Sequence, residues 1–179
     1  MSTVILSSQK HFRMRAYEEE DLQAIANFLN TCETIDQYGQ FCTVSELQAE
    51  FTEPGFEPTQ NVRLWLGDTG QIIAFARLWI PQQTEISLEA EGYLGFRVHP
   101  QFRDQGLEAE VLGWAETRVT EMAQGRALPA RLRATCRDYE QSRLQLFGQF
   151  DLHHERSFLR MTRNLTGPLP EARLPKGLL

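Results

Sequence analysis

The chain reads as an α/β protein, with a mixed central sheet of about six to seven strands and helices on both faces. Three observations predict this. Residues 93–98 form an apolar strand that runs through His99-Pro100 and a polar loop into an amphipathic helix opened by Gly106. Residues 130–137 alternate: Ala130, Leu132, Ala134 and Cys136 against Arg131, Arg133, Thr135 and Arg137. That is the period of a half-buried strand. Finally, the elements follow the order strand, two helices, three strands, helix, strand, helix, strand.

Taken from the N-terminus, residues 11–17 alternate Phe12, Met14 and Ala16 with Arg13 and Arg15, which predicts a strand. A helix follows over 19–32, with Leu22, Ile25, Phe28 and Leu29 at helical spacing. The acidic run at 18–21 complements the dipole at its start. Ser45 and Gln48 form a capping-box pattern for a short second helix through Phe51, stopped at Pro54-Gly55. Residues 62–66 and 72–80 flank the turn-forming Gly67-Asp68-Thr69-Gly70 and predict a hairpin. Residues 81–91 make a polar connection to the strand at 93–98.

The helix after the loop spans 106–122, with Leu107, Val111, Ala115, Val119 and Met122 near one face. Strand 130–137, a helix over 139–150 and a last strand over 157–165 complete the unit. Trp65, Phe75, Trp79 and Trp114 are assigned to the core. Residues 1–165 form one domain. Residues 166–179 hold three prolines and two glycines and read as an extended tail or interdomain linker.

Composition narrows the function classes. With 179 residues, 41% hydrophobic and 23% charged, the chain has ordinary globular proportions. It contains no apolar run of membrane-spanning length and no signal-peptide pattern in its first residues. Cys32, Cys42 and Cys136 lack metal-ligand spacing and read as free thiols of a reducing cytoplasm. A net charge of −6 argues against nucleic-acid binding. Arg126, Arg131, Arg133, Arg137 and Arg143 read as a solvated surface. His153-His154 has no partner at ligand spacing and reads as a solvent-facing turn, so no metal site is expected.

The strand–loop–helix stretch reads Val98-His99-Pro100, then Arg103-Asp104-Gln105-Gly106-Leu107-Glu108, then Val111-Leu112 and Glu116. It resembles the V-x-P, R-x-x-G-x-G/A and L-L-x-x-x-E pattern of the GNAT superfamily of N-acetyltransferases. Glu108 stands where the family has glycine or alanine. A second resemblance covers Leu146 to Leu152, which parallels the family's L-Y-E-K-x-G-F, with Arg160-Met161 following. Phe147 stands in the place of its tyrosine, Glu140 in that of an upstream asparagine and Asp151 in that of its glycine.

The resemblance implies a GNAT fold and acetyl-CoA as co-substrate. Pantetheine would lie along the strand edge at Phe96, Arg97 and Val98. Pyrophosphate would meet backbone amides from Arg103, Asp104, Gln105 and Gly106 to Leu107 and Glu108, at a helix N-terminus. Acyl transfer from a thioester to an amine needs a base, for which Glu91 or Glu89 and His99 are candidates. It also needs an acid, and Tyr139 is the candidate replacement for the tyrosine absent at Phe147. Tyr38, Phe41 and Phe56 lie where the family builds its acceptor pocket. The expected acceptor is a primary amine of a small molecule or peptide. The proline-rich end also resembles the lead-in to another GNAT domain, so a second lobe or a homodimer is an expected partner. A non-catalytic, ligand-binding or structural lobe is the alternative reading.

Overall fold

The structure is a computed structural model and describes residues 12–81, 88–164 and 166–167. Among these, five strands form one sheet in the order β1-β2-β3-β4-β5. They are β1 (Arg13–Ala16), β2 (Val62–Leu66), β3 (Ile72–Trp79), β4 (Ala90–Val98) and β5 (Ala130–Ala134). The first four pair antiparallel, and β5 joins β4 in parallel. The helices are α1 (Leu22–Asp36), α2 (Val44–Phe51), α3 (Pro58–Asn61), α4 (Leu107–Gln124) and α5 (Gln141–Gln149).

The alternation of each strand sorts its side chains onto two faces. Along β4, Gly92, Leu94, Phe96 and Val98 are buried on one face, while Glu91, Tyr93, Gly95 and Arg97 lie half-buried on the other. The first face packs with Leu107, Val111, Leu112, Ala115 and Val119 of α4 and Phe147 of α5. On the opposite face Leu64 and Phe75 pack with Ile25, Phe28 and Cys32 of α1 and Leu47 and Phe51 of α2. Helices therefore cover both faces, as the sequence predicts.

Several expectations are corrected. No strand forms over 157–164; these residues are irregular, with Phe158, Leu159 and Met161 exposed. Adjacent Phe158-Leu159 breaks the period-2 alternation, so the segment has no single apolar face to bury. Leu165, residues 1–11, residues 82–87 and the tail from 168 lie outside the described residues. The capping box sits two residues before the expected one: Thr43 Oγ1 accepts from the Glu46 amide at 3.2 Å, and Glu46 Oε2 accepts from the Thr43 amide at 2.7 Å. Thr43-x-x-Glu46 satisfies the same pattern and leaves Val44 as the first helical residue. Residues 18–21 form a single 3₁₀ turn rather than the start of α1, and Asp21 closes on Arg15. Helix α5 is shorter than expected and leaves Tyr139 in the preceding turn. Trp79 is 43% exposed and its ring lies tilted against Tyr93 rather than entering the core. Trp65 and Phe75 are buried as expected, and Trp114 meets Trp65 edge-on.

Candidate functional site

The sheet opens beside β4. Pairing with β5 runs from Ala90↔Ala130 to Leu94↔Ala134 and stops there, whereas β3 stays in register with β4 up to Val98. Among the described residues, no strand therefore lies beside residues 95–98 of β4 on the β5 side. The His99 amide donates to the Ile73 carbonyl on the β3 side at 2.8 Å. Alternation then turns the amides and carbonyls of Phe96 and Val98 toward the open side. Their carbonyls are engaged by side chains: Arg97 Nη1 donates to Phe96 O at 3.2 Å, and Arg103 Nε to Val98 O at 3.0 Å.

Beyond β4, Pro100–Phe102 form a 3₁₀ turn, and the chain enters α4 through Asp104 and Gly106, both at positive φ (57° and 89°). Gly106 adopts this conformation without Cβ strain. No side chain caps the first turn of α4, so its amides lie at the loop. One acid is folded over that loop: Glu108 Oε1 accepts from the Asp104 amide at 3.3 Å. Glu110 turns the other way and accepts from Trp65 Nε1 at 3.2 Å. Asp104, Gln105 and Gly106 are thus exposed between the half-buried Arg103 and the buried Leu107, and the Arg103 guanidinium points back at Asp36.

The expected acid–base residues are otherwise employed. Glu91 accepts from Arg133 Nη2 and from the Tyr93 hydroxyl, each at 2.8 Å. These bonds, Arg133 first, hold its carboxyl below the usual carboxylate range. Glu89 pairs with Arg131 at 2.6 Å. His99 Nδ1 accepts from the Gln101 amide at 3.3 Å and its ring packs edge-on against Phe102, so it caps the turn. Tyr139 is exposed, with its ring 6.5 Å from that of Tyr38. Cys32 is fully buried, and burial pushes its thiol up to about 11.

The expected acceptor residues separate. Phe56 is buried against Phe51 in the apolar cluster under α2. Phe41 is 66% exposed. Tyr38 alone enters the opened side of the sheet, just beyond α1. Its hydroxyl donates to Glu140 Oε1 at 2.8 Å. Burial, then this bond, pushes its phenol up to about 12. Arg97 and Arg137 stand over its ring at 5.1 and 5.4 Å from the centroid. Arg160 Nη1 donates to its carbonyl at 3.3 Å, and Arg143 lies 4.4 Å from the Phe96 ring centroid. Arg137 and Arg143 are therefore not the solvated face that the sequence suggests. Phe147 is buried in the core, so the replaced tyrosine position is structural here.

Among the described residues no group of histidine, cysteine or acidic side chains could hold a metal. His154 bonds Ser157 on the exposed surface. Among the same residues no helix is long and apolar enough to cross a membrane.

This arrangement matches solved structures. A GCN5-related N-acetyltransferase from Sphaerobacter thermophilus superimposes with TM-score 0.63 at 22% identity, over 78% of this chain and 42% of that one. The fold is that of the GNAT acetyltransferases. AAC(6')-Iy, solved with the bisubstrate analogue CoA-S-monomethyl-acetylneamine, shares the GNAT fold with TM-score 0.60 at 14% identity, over 86% and 99% of the two chains. Glucosamine-6-phosphate N-acetyltransferase from Arabidopsis thaliana gives 0.57 at 16%, over 87% and 99%. The chain thus spans under half of the Sphaerobacter protein but nearly all of the other two. No family model and no curated protein matches the sequence.

Proposed function

We propose that this protein is an acyl-CoA-dependent N-acetyltransferase that moves an acetyl group from acetyl-CoA to a primary amine of a small molecule or peptide. The observation that carries the reading is the β4 edge at residues 95–98, which no strand among the described residues covers on the β5 side, beside a loop that feeds the N-terminus of α4. Acetyl-CoA supplies the activated thioester. The backbone of Phe96, Arg97 and Val98 offers its pantetheine arm an extended partner. The amides from Arg103 to Gly106, with Leu107 and Glu108, offer its pyrophosphate donors at a helix start. The solved neighbour with a CoA-containing analogue supports the same assignment.

Glu108 must move for phosphate to bind. Its bond to the Asp104 amide is long and solvent-exposed, and contributes about 1 kcal/mol at most. Phosphate at several amides makes charge-assisted bonds that outweigh it. The reaction forms a C–N bond, breaks a C–S bond and passes the amine's proton to the departing thiolate. Glu91, Glu89 and His99 are each bound elsewhere, so proton transfer runs through the acceptor and solvent. The three free cysteines support a reducing cytoplasm as the setting.

A second reading, a non-catalytic lobe that supports a partner lobe or a second copy, is favoured by the same Glu108 contact and by the buried Phe147. Calorimetry with acetyl-CoA on wild type and Glu108→Gly separates the two. The transferase reading expects micromolar binding by wild type and tighter binding by the variant. Absence of binding in both would leave the non-catalytic lobe.

A further inference from the structure

The arginines around Tyr38 differ from most of the others in this chain. Arg15, Arg77, Arg103, Arg131 and Arg133 each close on a carboxylate. Among the described residues, Arg97, Arg137 and Arg160 do not. Arg97 reaches the Phe96 carbonyl and the Gln40 side chain. Arg137 and Arg160 both reach the Tyr38 carbonyl. The acid drawn into this cluster is Glu140, and it is already satisfied. It accepts the Tyr38 hydroxyl at 2.8 Å and the Arg137 amide at 2.7 Å, and it pairs with Arg143 at 3.3 Å.

Three guanidinium groups thus converge on one ring and one carbonyl in a protein of net charge −6. Such a set repels itself, and the half-buried Arg97 and Arg137, beside the exposed Arg160, lose hydration without closing on a carboxylate. Burial, then Arg143, pushes the Arg97 pKa down, against a smaller opposing pull from Tyr38, Asp36 and Glu140. The fork geometry of arginine matches the oxygens of a carboxylate or a phosphate. One solved neighbour carries a neamine conjugate and another is named for glucosamine-6-phosphate, so amines of very different charge are handled on the same scaffold.

Resting on the transferase reading, we infer that the acceptor is a primary amine that also carries an oxyanion, seated on Arg97, Arg137 and Arg160 while its amine faces the open β4 edge. The ring of Tyr38 fixes the height of two of the guanidinium groups. Glu140 holds Tyr38 and Arg143 in place and forms no ion pair with the other three.

The test is calorimetric titration of the full chain, without acyl donor, with β-alanine, phosphoethanolamine, ethanolamine and putrescine. The expected result is binding of β-alanine or phosphoethanolamine about ten-fold or more tighter than of ethanolamine. Whichever of the two is tighter identifies carboxylate or phosphate as the anion. Arg137→Gln and Arg160→Gln should each abolish that difference with acetyl-CoA affinity unchanged, and the exposed Arg160 guards against a folding defect in the half-buried Arg137 variant. Ethanolamine or putrescine binding as tightly, no probe binding at all, or the variants weakening acetyl-CoA instead, would each overturn the inference. Oxyanion amines that bind while acetyl-CoA does not would keep this ligand class and discard the transferase reading.

Discussion

Arg103 and Asp36 are locked together across the open end of the sheet, with Nη1 and Nη2 meeting the two carboxylate oxygens at 2.8 and 2.7 Å. The same guanidinium donates through Nε to the Val98 carbonyl. One side chain therefore ties the last residue of α1 to the last residue of β4. The arginine of the loop motif acts as a brace. Asp36, only 6% exposed at its side chain, depends on this partner.

Arg103→Ala removes the brace and leaves a carboxylate in a poorly hydrated position. Breaking a buried pair costs about 3–5 kcal/mol, and the partial exposure of Arg103 places this one near about 2–3 kcal/mol. In a domain of this size that is a fall in melting temperature on the order of 5–10 °C. Differential scanning calorimetry reads it directly. A change under about 2 °C would show that the pair is incidental.

Asp21 gives a pH dependence of defined sign. Arg15 Nη1 and Nη2 each donate to it at 2.6 Å, and the Glu18 amide donates at 2.9 Å. The bond from Arg15 is the main cause of a carboxyl pKa below its ordinary value. A depressed pKa contributes stability above the unfolded value near about 3.9 and loses it as pH falls through the folded value. Asp21→Asn should therefore be less stable than wild type by about 1–3 kcal/mol at neutral pH. The gap should close as both are titrated below about pH 4. Urea midpoints across that range provide the measurement, and a constant gap would refute the linkage.

The sheet and α4 were legible in the sequence because period and loop chemistry agreed there: β4, the turn at Gly106 and the apolar face from Leu107 to Val119 all stand where patterning puts them. The β5 alternation was legible for the same reason. Residues 157–164 misled because Phe158, Leu159 and Met161 supply apolar content without a consistent face. Tyr38 was reachable by resemblance, but its partners were not. Glu140 is 102 residues away in sequence and Arg160 is 122 residues away, and no local pattern couples such positions. His99 and Glu91 looked free because a sequence does not display the Gln101 amide or the Arg133 guanidinium that occupy them.

Gly92 tests the seam between β4 and α4. A Cβ at this position would lie 2.3 Å from Val119 Cγ2 and 3.1 Å from Leu78 Cδ1. Val119 is 1% exposed and Leu78 is fully buried, so neither can swing away. Gly92→Ala should destabilise by about 1–3 kcal/mol through overpacking. Chemical denaturation should show a lower midpoint with an unchanged slope. An unshifted midpoint would mean that the helix lifts off the sheet at no cost.

Tyr38 separates positioning from proton transfer. With its phenol at about 12, it is a poor acid toward a thiolate whose thiol has a pKa of about 8.5, an uphill step of about 5 kcal/mol. Its role is then to hold Arg97 and Arg137 over the ring and to link α1 to Glu140. Tyr38→Phe keeps the ring and loses only the hydroxyl. Acetyl transfer by this variant should fall less than about ten-fold, with an unaltered pH profile. Tyr38→Ala removes the ring as well, and should raise the acceptor KM far more than it lowers kcat. Steady-state rates with the best amine from the titrations measure both. A loss of about 100-fold or more in kcat for the phenylalanine variant, with the alkaline limb of the profile gone, would instead make the hydroxyl the proton donor.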